Sequence, residues 1–367
     1  MFQGYYGRRR LKSILTGFLG FLILIVLLRR RNGMILINQK FIEMFIYKYF
    51  LSEPEIVLPP TLPPSIESKT PAPPLVSFQK SGVLSTIGFT NSPYLDLKSY
   101  PSDFIPVMVL SKATNIEVRD AIRRTWGFYR SYRGNDLRVK IFFIIGTHDF
   151  MTQRILMEQN VFDDIIQVTV PDMYSFGAHK ELAAMMWVRS YLPKHKFYIK
   201  TEDDVIINMK TLADELFPII ESAYNEDLII GWFGHEHVIQ RGTYQKFIDA
   251  VVPPSSADLN YAMSLLYVIT ASAADRMIET LNQVELIEYP GDPFVTGILR
   301  DAAHVQIKNL ATTAQNFTYE IANGKCSVAF TKDPDLLVCT SSLHIGSLKS
   351  MPEYFTAWNI LIGEVQA

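Results

Sequence analysis

The 367-residue sequence predicts an α/β domain with a mainly parallel central sheet, preceded by a transmembrane helix and a stalk. Three observations carry the prediction. Apolar strand-like runs alternate with helical patterns after about residue 101, one uncharged apolar stretch lies near the start, and a proline-dense stretch separates the two. Apolar residues make up 48% of the chain and charged residues 20%, enough to bury a sizeable core, which excludes a largely disordered protein. The 35 Lys and Arg against 37 Asp and Glu leave a formal charge of -2, so no basic surplus points to a nucleic-acid partner. Two cysteines, Cys326 and Cys339, are too few for a disulfide scaffold or a structural zinc site; they can form one bridge in an oxidising compartment.

Ser13 to Leu28 (SILTGFLGFLILIVLL) carries no charge. As a helix it rises about 24 Å, short of the usual hydrocarbon core but suited to a thinner bilayer early in the secretory pathway. A cleaved signal peptide is the rival reading, yet Arg29, Arg30 and Arg31 stand where small cleavage-site residues belong. Arg8, Arg9, Arg10 and Lys12 slightly outweigh those three arginines, which favours a cytosolic N-terminus. The sequon Asn316-Phe317-Thr318 agrees with a lumenal C-terminal domain. Met34 to Leu51 is apolar but broken by Asn38, Lys40, Glu43 and Lys48, so it reads as amphipathic. Eight of the 20 prolines fall between Pro54 and Pro74, a density no packed element tolerates. The expected layout is a cytosolic tail (1–12), a signal anchor (13–28), a stalk (29–100) and a globular domain (101–367).

Within that domain Phe104 to Leu110 (FIPVMVL) reads as a buried strand, followed by a helix from Ile116 to Trp126. Val139 to Ile145 predicts the next strand, Thr152 to Phe162 a helix and Ile165 to Val168 a short strand. A helix from Phe176 to Tyr191 then leads to the strand Phe197 to Lys200. Strands separated by helices imply parallel pairing with both sheet faces covered, and such sheets bind ligands beyond the carboxyl ends of their strands.

One acidic cluster stands at such a strand end. Phe197-Tyr198-Ile199-Lys200 runs into Thr201-Glu202-Asp203-Asp204, then Val205-Ile206-Ile207-Asn208. Three adjacent carboxylates repel one another, and a divalent cation would relieve them; Mg²⁺ or Mn²⁺ takes oxygen ligands and shares them with substrate phosphate. Alternate residues of an extended segment point the same way, so Glu202 and Asp204 address one ion. A solvated acidic turn is the alternative reading, weakened by the apolar runs on both sides.

The sequence resembles a known family. Val118-Arg119-Asp120-Ala121-Ile122-Arg123-Arg124-Thr125-Trp126-Gly127 looks like the R-x-A-I-R-x-T-W-G signature of the beta-1,3-galactosyltransferases and N-acetylglucosaminyltransferases, glycosyltransferase family 31. Asp163-Asp164-Ile165-Ile166-Gln167, Asp172-Met173-Tyr174, Lys180, Trp187 and the acidic cluster continue the likeness in order, across roughly Pro106 to Leu310. The resemblance implies a GT-A-like fold and an inverting transfer of galactose or N-acetylglucosamine from a UDP-sugar to an acceptor glycan on glycoprotein or glycolipid, in a beta-1,3 linkage. It also implies a Golgi membrane enzyme of single-pass type II layout. Mn²⁺ or Mg²⁺ would be held by Glu202, Asp204 and the late histidine His344. Arg119, Arg123, Lys180 and Asp203 match donor-binding positions, and arginine suits phosphate through its fork of donors. For Trp126 and Trp187 buried packing is favoured over sugar stacking.

An inverting single displacement needs a base to take the proton of the attacking hydroxyl. The family places an acidic pair before a glycine in its third block; here the block reads Tyr289-Pro290-Gly291-Asp292-Pro293-Phe294-Val295-Thr296-Gly297. Asp292 matches the aspartate and is the predicted base, while Gly291 and Pro293 replace its neighbours. Tyr261-Ala262-Met263-Ser264-Leu265-Leu266-Tyr267 resembles a family Y-x2-G-x2-Y segment with Ser264 in place of glycine, and Arg241 with Lys246-Phe247 resembles R-x4-K-W with phenylalanine for tryptophan. These departures keep open a second function class, a non-catalytic relative acting as a sugar-nucleotide-binding partner or chaperone. His235-Glu236-His237 lacks the H-E-x-x-H spacing of a zinc protease, and no serine shows a nucleophile-elbow pattern.

Overall fold

The computed structural model describes residues 76–77, 86–94, 104–128, 138–233, 260–284, 291–313, 319–320, 325–341, 343 and 350–363. The predicted tail, anchor and most of the stalk lie outside these residues, as do Arg241, Lys246, Phe247, His235 to His237, the Asn316 sequon and His344. Among the described residues no helix is long and apolar enough to cross a membrane.

Two short strands, β1 (Val76–Ser77) and β2 (Thr86–Ile87), pair antiparallel. The main sheet contains β3 (Phe89–Asn91), β4 (Phe104–Leu110), β5 (Arg138–Thr147), β6 (Ile165–Pro171), β7 (Phe197–Glu202), β9 (Leu228–Gly231), β10 (Leu266–Thr270) and β11 (Gln306–Asn309), with β8 (Val205–Ile207) set aside in a second sheet. Its order is β11-β9-β10-β7-β4-β5-β6-β3. The four predicted strands β4 to β7 form the parallel centre, in register Val107 with Ile199 and Val107 with Ile141. The expectation of a mainly parallel sheet needs one refinement: β10 lies antiparallel between β7 and β9, and β3 is antiparallel at the far edge. β8 pairs with β13 (Val338–Thr340), which in turn pairs with β12 (Tyr319–Glu320).

Period-two alternation divides the strands between two cores. Phe104, Met108, Phe142, Ile144, Ile166, Val168, Tyr198, Tyr267 and Ile269 face one side. Ile105, Val107, Val109, Ile141, Phe143, Ile199, Leu266 and Val268 face the other. Helices cover both. The second core takes Val118, Ala121 and Ile122 of α1 (Ile116–Arg124). Near the β5 and β6 strands, α2 (Thr152–Phe162) contributes Ile155 to a small separate cluster. The first core takes α3 (Gly177–Tyr191), with Leu182, Met185 and Trp187. After β8 the helix α4 (209–223) starts at Asn208, whose side chain accepts from the backbone N–H of Lys210 and Thr211, an N-cap that satisfies two helix-end donors. Then α5 (Ala271–Thr280) and the wide, π-type helix α6 (Pro293–Leu299) close over the first core through Met277, Phe294 and Leu299. Finally α7 (Cys326–Lys332) and α8 (Met351–Leu361) pack on the second side, α8 through Tyr354, Ala357 and Trp358.

Predicted and observed boundaries coincide for β4 and α2. The helix predicted to reach Trp126 ends at Arg124, because Thr125 turns its hydroxyl back to the Ala121 carbonyl (2.8 Å) and a tight turn, Trp126–Phe128, follows. Trp126 and Trp187 are both buried. The Trp126 indole N–H donates to the Val205 carbonyl (3.2 Å) and that of Trp187 to Ser92 Oγ (2.8 Å), which fits packing and not sugar stacking.

Candidate active site

The parallel strands β4 to β7 deliver their carboxyl ends to one edge. There Ser111, Gly146, Asp172 and Glu202 leave the sheet. Asp172 ties three of these ends together. Its carboxylate accepts from the backbone N–H of Ala113 after β4 and of Gly146 at the end of β5 (3.2 Å), and from Lys180 Nζ on α3 (3.1 Å). A Cβ on Gly146 would stand 2.6 Å from Asp172 Cα, so only glycine allows this approach. Lys180 Nζ also donates to the Ser111 carbonyl (3.2 Å).

The acidic turn follows the predicted alternation. Asp203 is buried while Glu202 and Asp204 are partly exposed. Asp203 Oδ2 accepts from Ser111 Oγ (2.6 Å) and Asn115 Nδ2 (3.0 Å), and burial raises its carboxyl despite those bonds. Asp203 thus ties the turn to the loop after β4. The Asp204 carbonyl accepts from the backbone N–H (2.6 Å) and Oγ (2.8 Å) of Ser341, just beyond β13. A disulfide between Cys326 and Cys339 (Cα–Cα 5.7 Å) joins β13 to α7.

Arg119 and Arg123 both sit in buried ion pairs. Arg119 is fully buried. Its guanidinium forms a fork with Glu158 (2.9 and 2.7 Å) and donates to Ser111 Oγ (3.1 Å) and the carbonyls of Lys112 and Ala113. Arg123 pairs with Asp164 (2.7 and 2.8 Å) and with Glu158 (2.8 Å), and stacks over Phe162 at 4.0 Å. Burial works against the Glu158 charge, but Arg119 and Arg123 outweigh it and hold its carboxyl below the usual range. Both arginines are therefore held by internal carboxylates, Arg119 also by the loop 111–115, while the buried Arg123 Nη1 has no hydrogen-bond partner among the described residues.

A second buried cluster lies on the other side of β7. Lys200 Nζ sits 3.0 Å from Glu181 Oε1 and 3.6 Å from Glu202 Oε1, and donates to the Ser264 carbonyl (3.0 Å). The Tyr267 hydroxyl donates to Glu181 Oε2. Asp292 opens α6 in the same neighbourhood. Burial pushes its carboxyl up to about 8; the positive charge of Lys200 opposes this, while Glu181 and Glu202 reinforce it. No side chain among the described residues donates a hydrogen bond to that carboxylate. Its backbone is pinned: the Thr296 hydroxyl donates to the Asp292 carbonyl (2.7 Å) and accepts from Ala262 N–H (2.9 Å).

Two of the sequence departures acquire physical reasons. A Cβ on Gly291 would lie 2.2 Å from Glu181 Oε1, so position 291 is glycine because the Glu181 carboxylate fills that space. Ser264 is not among the residues with positive φ, so its turn does not require glycine. Sequence reasoning missed Glu181, Lys200, Ser111 and Asn115. A usable signal existed for Glu181: it lies in a helix whose neighbours Ala178, Leu182, Ala183 and Met185 are all apolar, where an unpaired carboxylate is costly. No described group of three His, Cys, Asp or Glu residues is arranged to hold a metal ion. Glu202 and Asp204, both partly exposed, are the carboxylates of the turn that could offer oxygen to an ion taking its other ligands from substrate phosphate and water.

Comparison with known proteins identifies the family. A family model described as Galactosyltransferase matches residues 117–311, more than half of the chain. The UDP-GalNAc:beta-1,3-N-acetylgalactosaminyltransferase 1 of Homo sapiens is 28% identical over 236 residues, 63% of this chain and 69% of that protein. Beta-1,3-galactosyltransferase 4 of Mus musculus is 32% identical over 119 residues, 32% of each chain. Among solved structures, the galactosyltransferase LgtC in complex with donor and acceptor sugar analogs aligns with a TM-score of 0.36 at 10% identity, covering 72% of this chain and 97% of that one. The chain belongs to the galactosyltransferase family and is a hexosyltransferase that uses a nucleotide-sugar.

Proposed function

We propose that this enzyme is an inverting transferase with a GT-A-like domain, moving a hexose from a UDP-sugar to a hydroxyl of an acceptor glycan in a beta-1,3 linkage, with Asp292 as general base. The observation that carries the proposal is the Asp292 carboxyl itself, raised to about 8 and joined through Glu181 and Lys200 to the acidic turn at the end of β7. A base poised near neutral pH combines an ionised fraction with a strong pull on the proton. As the acceptor oxygen bonds to the anomeric carbon, Asp292 takes the hydroxyl proton. The bond from that carbon to the nucleotide breaks with inversion, and UDP leaves with the electron pair. Glu202 and Asp204 would hold Mn²⁺ or Mg²⁺, which when bound supplies charge for the leaving diphosphate. Two of the three Lys180 N–H donors are used by Asp172 and Ser111, leaving one for a donor phosphate.

The donor is UDP-galactose, UDP-N-acetylglucosamine or, by analogy with the human relative's name, UDP-N-acetylgalactosamine. The proposed setting is the Golgi membrane, with residues 13–28 as a type II anchor, 29–100 as a stalk and 101–367 as the lumenal domain. The Cys326–Cys339 bridge supports an oxidising lumen. The non-catalytic reading loses its footing, because Gly291 and Ser264 are accommodated without loss of Asp292 or the acidic pair. The test is UDP release by the full-length protein from each of the three donors, with Mn²⁺ and a panel of acceptor sugars. Acceptor-dependent release is expected from one donor. Metal-dependent UDP binding with no turnover on any acceptor would contradict catalysis and restore the non-catalytic reading.

A further inference from the structure

Glu181 is a carboxylate in an apolar helix, and the transfer chemistry above leaves it without a task. Its side chain is only 3% exposed, and burial there favours the neutral acid unless partners compensate. Two partners do: Lys200 Nζ at 3.0 Å on one oxygen and the Tyr267 hydroxyl on the other. Lys200 is raised in turn, burial notwithstanding, by Glu181, Glu202 and Asp292. The carboxylate is thereby fixed against α3, β7 and β10. On its remaining side lies the chain at position 291. A Cβ there would stand 2.2 Å from Oε1, 2.3 Å from Cδ and 2.9 Å from Cγ of Glu181. The backbone just before Asp292 therefore rests on this carboxylate.

We infer that Glu181 is a positioning residue for the transfer reaction: locked by Lys200 and Tyr267, its carboxylate is the seat on which Gly291 rests, and this seat places Asp292 against the acceptor hydroxyl. The inference rests on the reading of Asp292 as the base. The other side of Asp292 is already held, by Pro293 fixing φ at the first position of α6 and by the Thr296 hydroxyl on its carbonyl. The seat supplies the missing constraint. It also occupies the nearest cation, so that Lys200 is engaged by Glu181 and Asp292 keeps the basicity of a carboxylate without an ion pair of its own.

Positions 181 and 291 compete for one volume, so only one of them can carry a carboxylate. That exclusivity makes the inference testable by relocation. Four forms of the full-length protein are compared for kcat, KM for donor and acceptor, and thermal unfolding: Glu181→Ala, Glu181→Gln, Gly291→Glu and the double variant Glu181→Ala with Gly291→Glu. Loss of the seat is expected to lower kcat by about 10²-fold, the usual cost of a reacting group displaced by an ångström, with donor KM within a fewfold of the original. Gly291→Glu alone, which forces two carboxylates into one site, is expected to be inactive. The double variant returns a carboxylate to Lys200 from the 291 side and is expected to recover at least tenfold in kcat over Glu181→Ala. Should Glu181→Ala fail to fold, Glu181→Gln preserves the shape and decides the matter by the same split between kcat and KM. A folded Glu181→Gln with unchanged kcat would overturn the inference, and so would a double variant no faster than Glu181→Ala. Asp292→Asn is measured alongside. If it retains full turnover, the base assignment itself falls and the seat falls with it; if it is slow while the Glu181 variants are not, only the seat is overturned.

Discussion

Arg119 shows how residue type and residue role separate. Its guanidinium suits a phosphate, yet every bond it makes is internal, with Glu158 supplied from 39 positions along the chain. The sequence displays the cation and hides the partner, so a motif match alone could not distinguish a ligand contact from a brace. Arg119→Ala should leave Glu158 with only Arg123 as a cationic partner and the carbonyls of the loop 111–115 without their donor, and destabilise the domain by about 3 kcal/mol, readable in urea unfolding. Asp292 was visible as a residue and invisible as an acid, because its basicity comes from burial and from Glu181 on another helix. Its folded value of about 8 lies above the ordinary aspartate value of 3.8. The native state therefore keeps a proton that the unfolded chain releases above about pH 4. Stability is lost as pH rises from there through about 8. Asp292→Asn should melt higher than the parent at pH 8, with the difference shrinking at pH 5. The same value predicts kcat/KM rising with pH to half its plateau near 8; a flat profile between pH 6 and 9 would contradict it.

The element that sequence described best is the strand–turn–strand from Phe197 to Ile207. Its apolar flanks mark two strands, and a buried Asp203 between partly exposed Glu202 and Asp204 matches the alternation expected of them, although Asp203 and Asp204 lie in the turn between β7 and β8. What holds the turn was not legible, because Trp126 and Ser341 arrive from far along the chain. The late strands β9 to β13 are short and mostly cross-connected, so no local periodicity announces them. The Cys326–Cys339 bridge stiffens that late segment: it closes a loop across a sequence separation of 13 and fastens β13, whose neighbour Ser341 grips the Asp204 carbonyl. Reduction should cost about 3 kcal/mol of unfolding free energy. It should also weaken metal-dependent UDP binding, whereas a bridge remote from the site would affect stability only. Titration with UDP and Mn²⁺ before and after reduction checks this.

At the scale of the molecule, the parallel centre was readable from strand–helix alternation. The switch to antiparallel pairing at β10 was not, since strand direction depends on long connections that composition does not encode. That switch matters for function. It brings Ser264 and Tyr267 beside Lys200, and α6 with Asp292 closes over the same face, so the charges of Lys200 and Glu202 act on the predicted base although 88 positions separate Asp204 from Asp292. The proposed function requires Asp292, so placed, to be the catalytic base. The most direct measurement is acceptor-dependent UDP release by Asp292→Asn beside the parent enzyme, with UDP affinity determined on the same preparations. The account predicts turnover reduced by about 10²–10⁴ with UDP affinity unchanged. Unchanged turnover would contradict it.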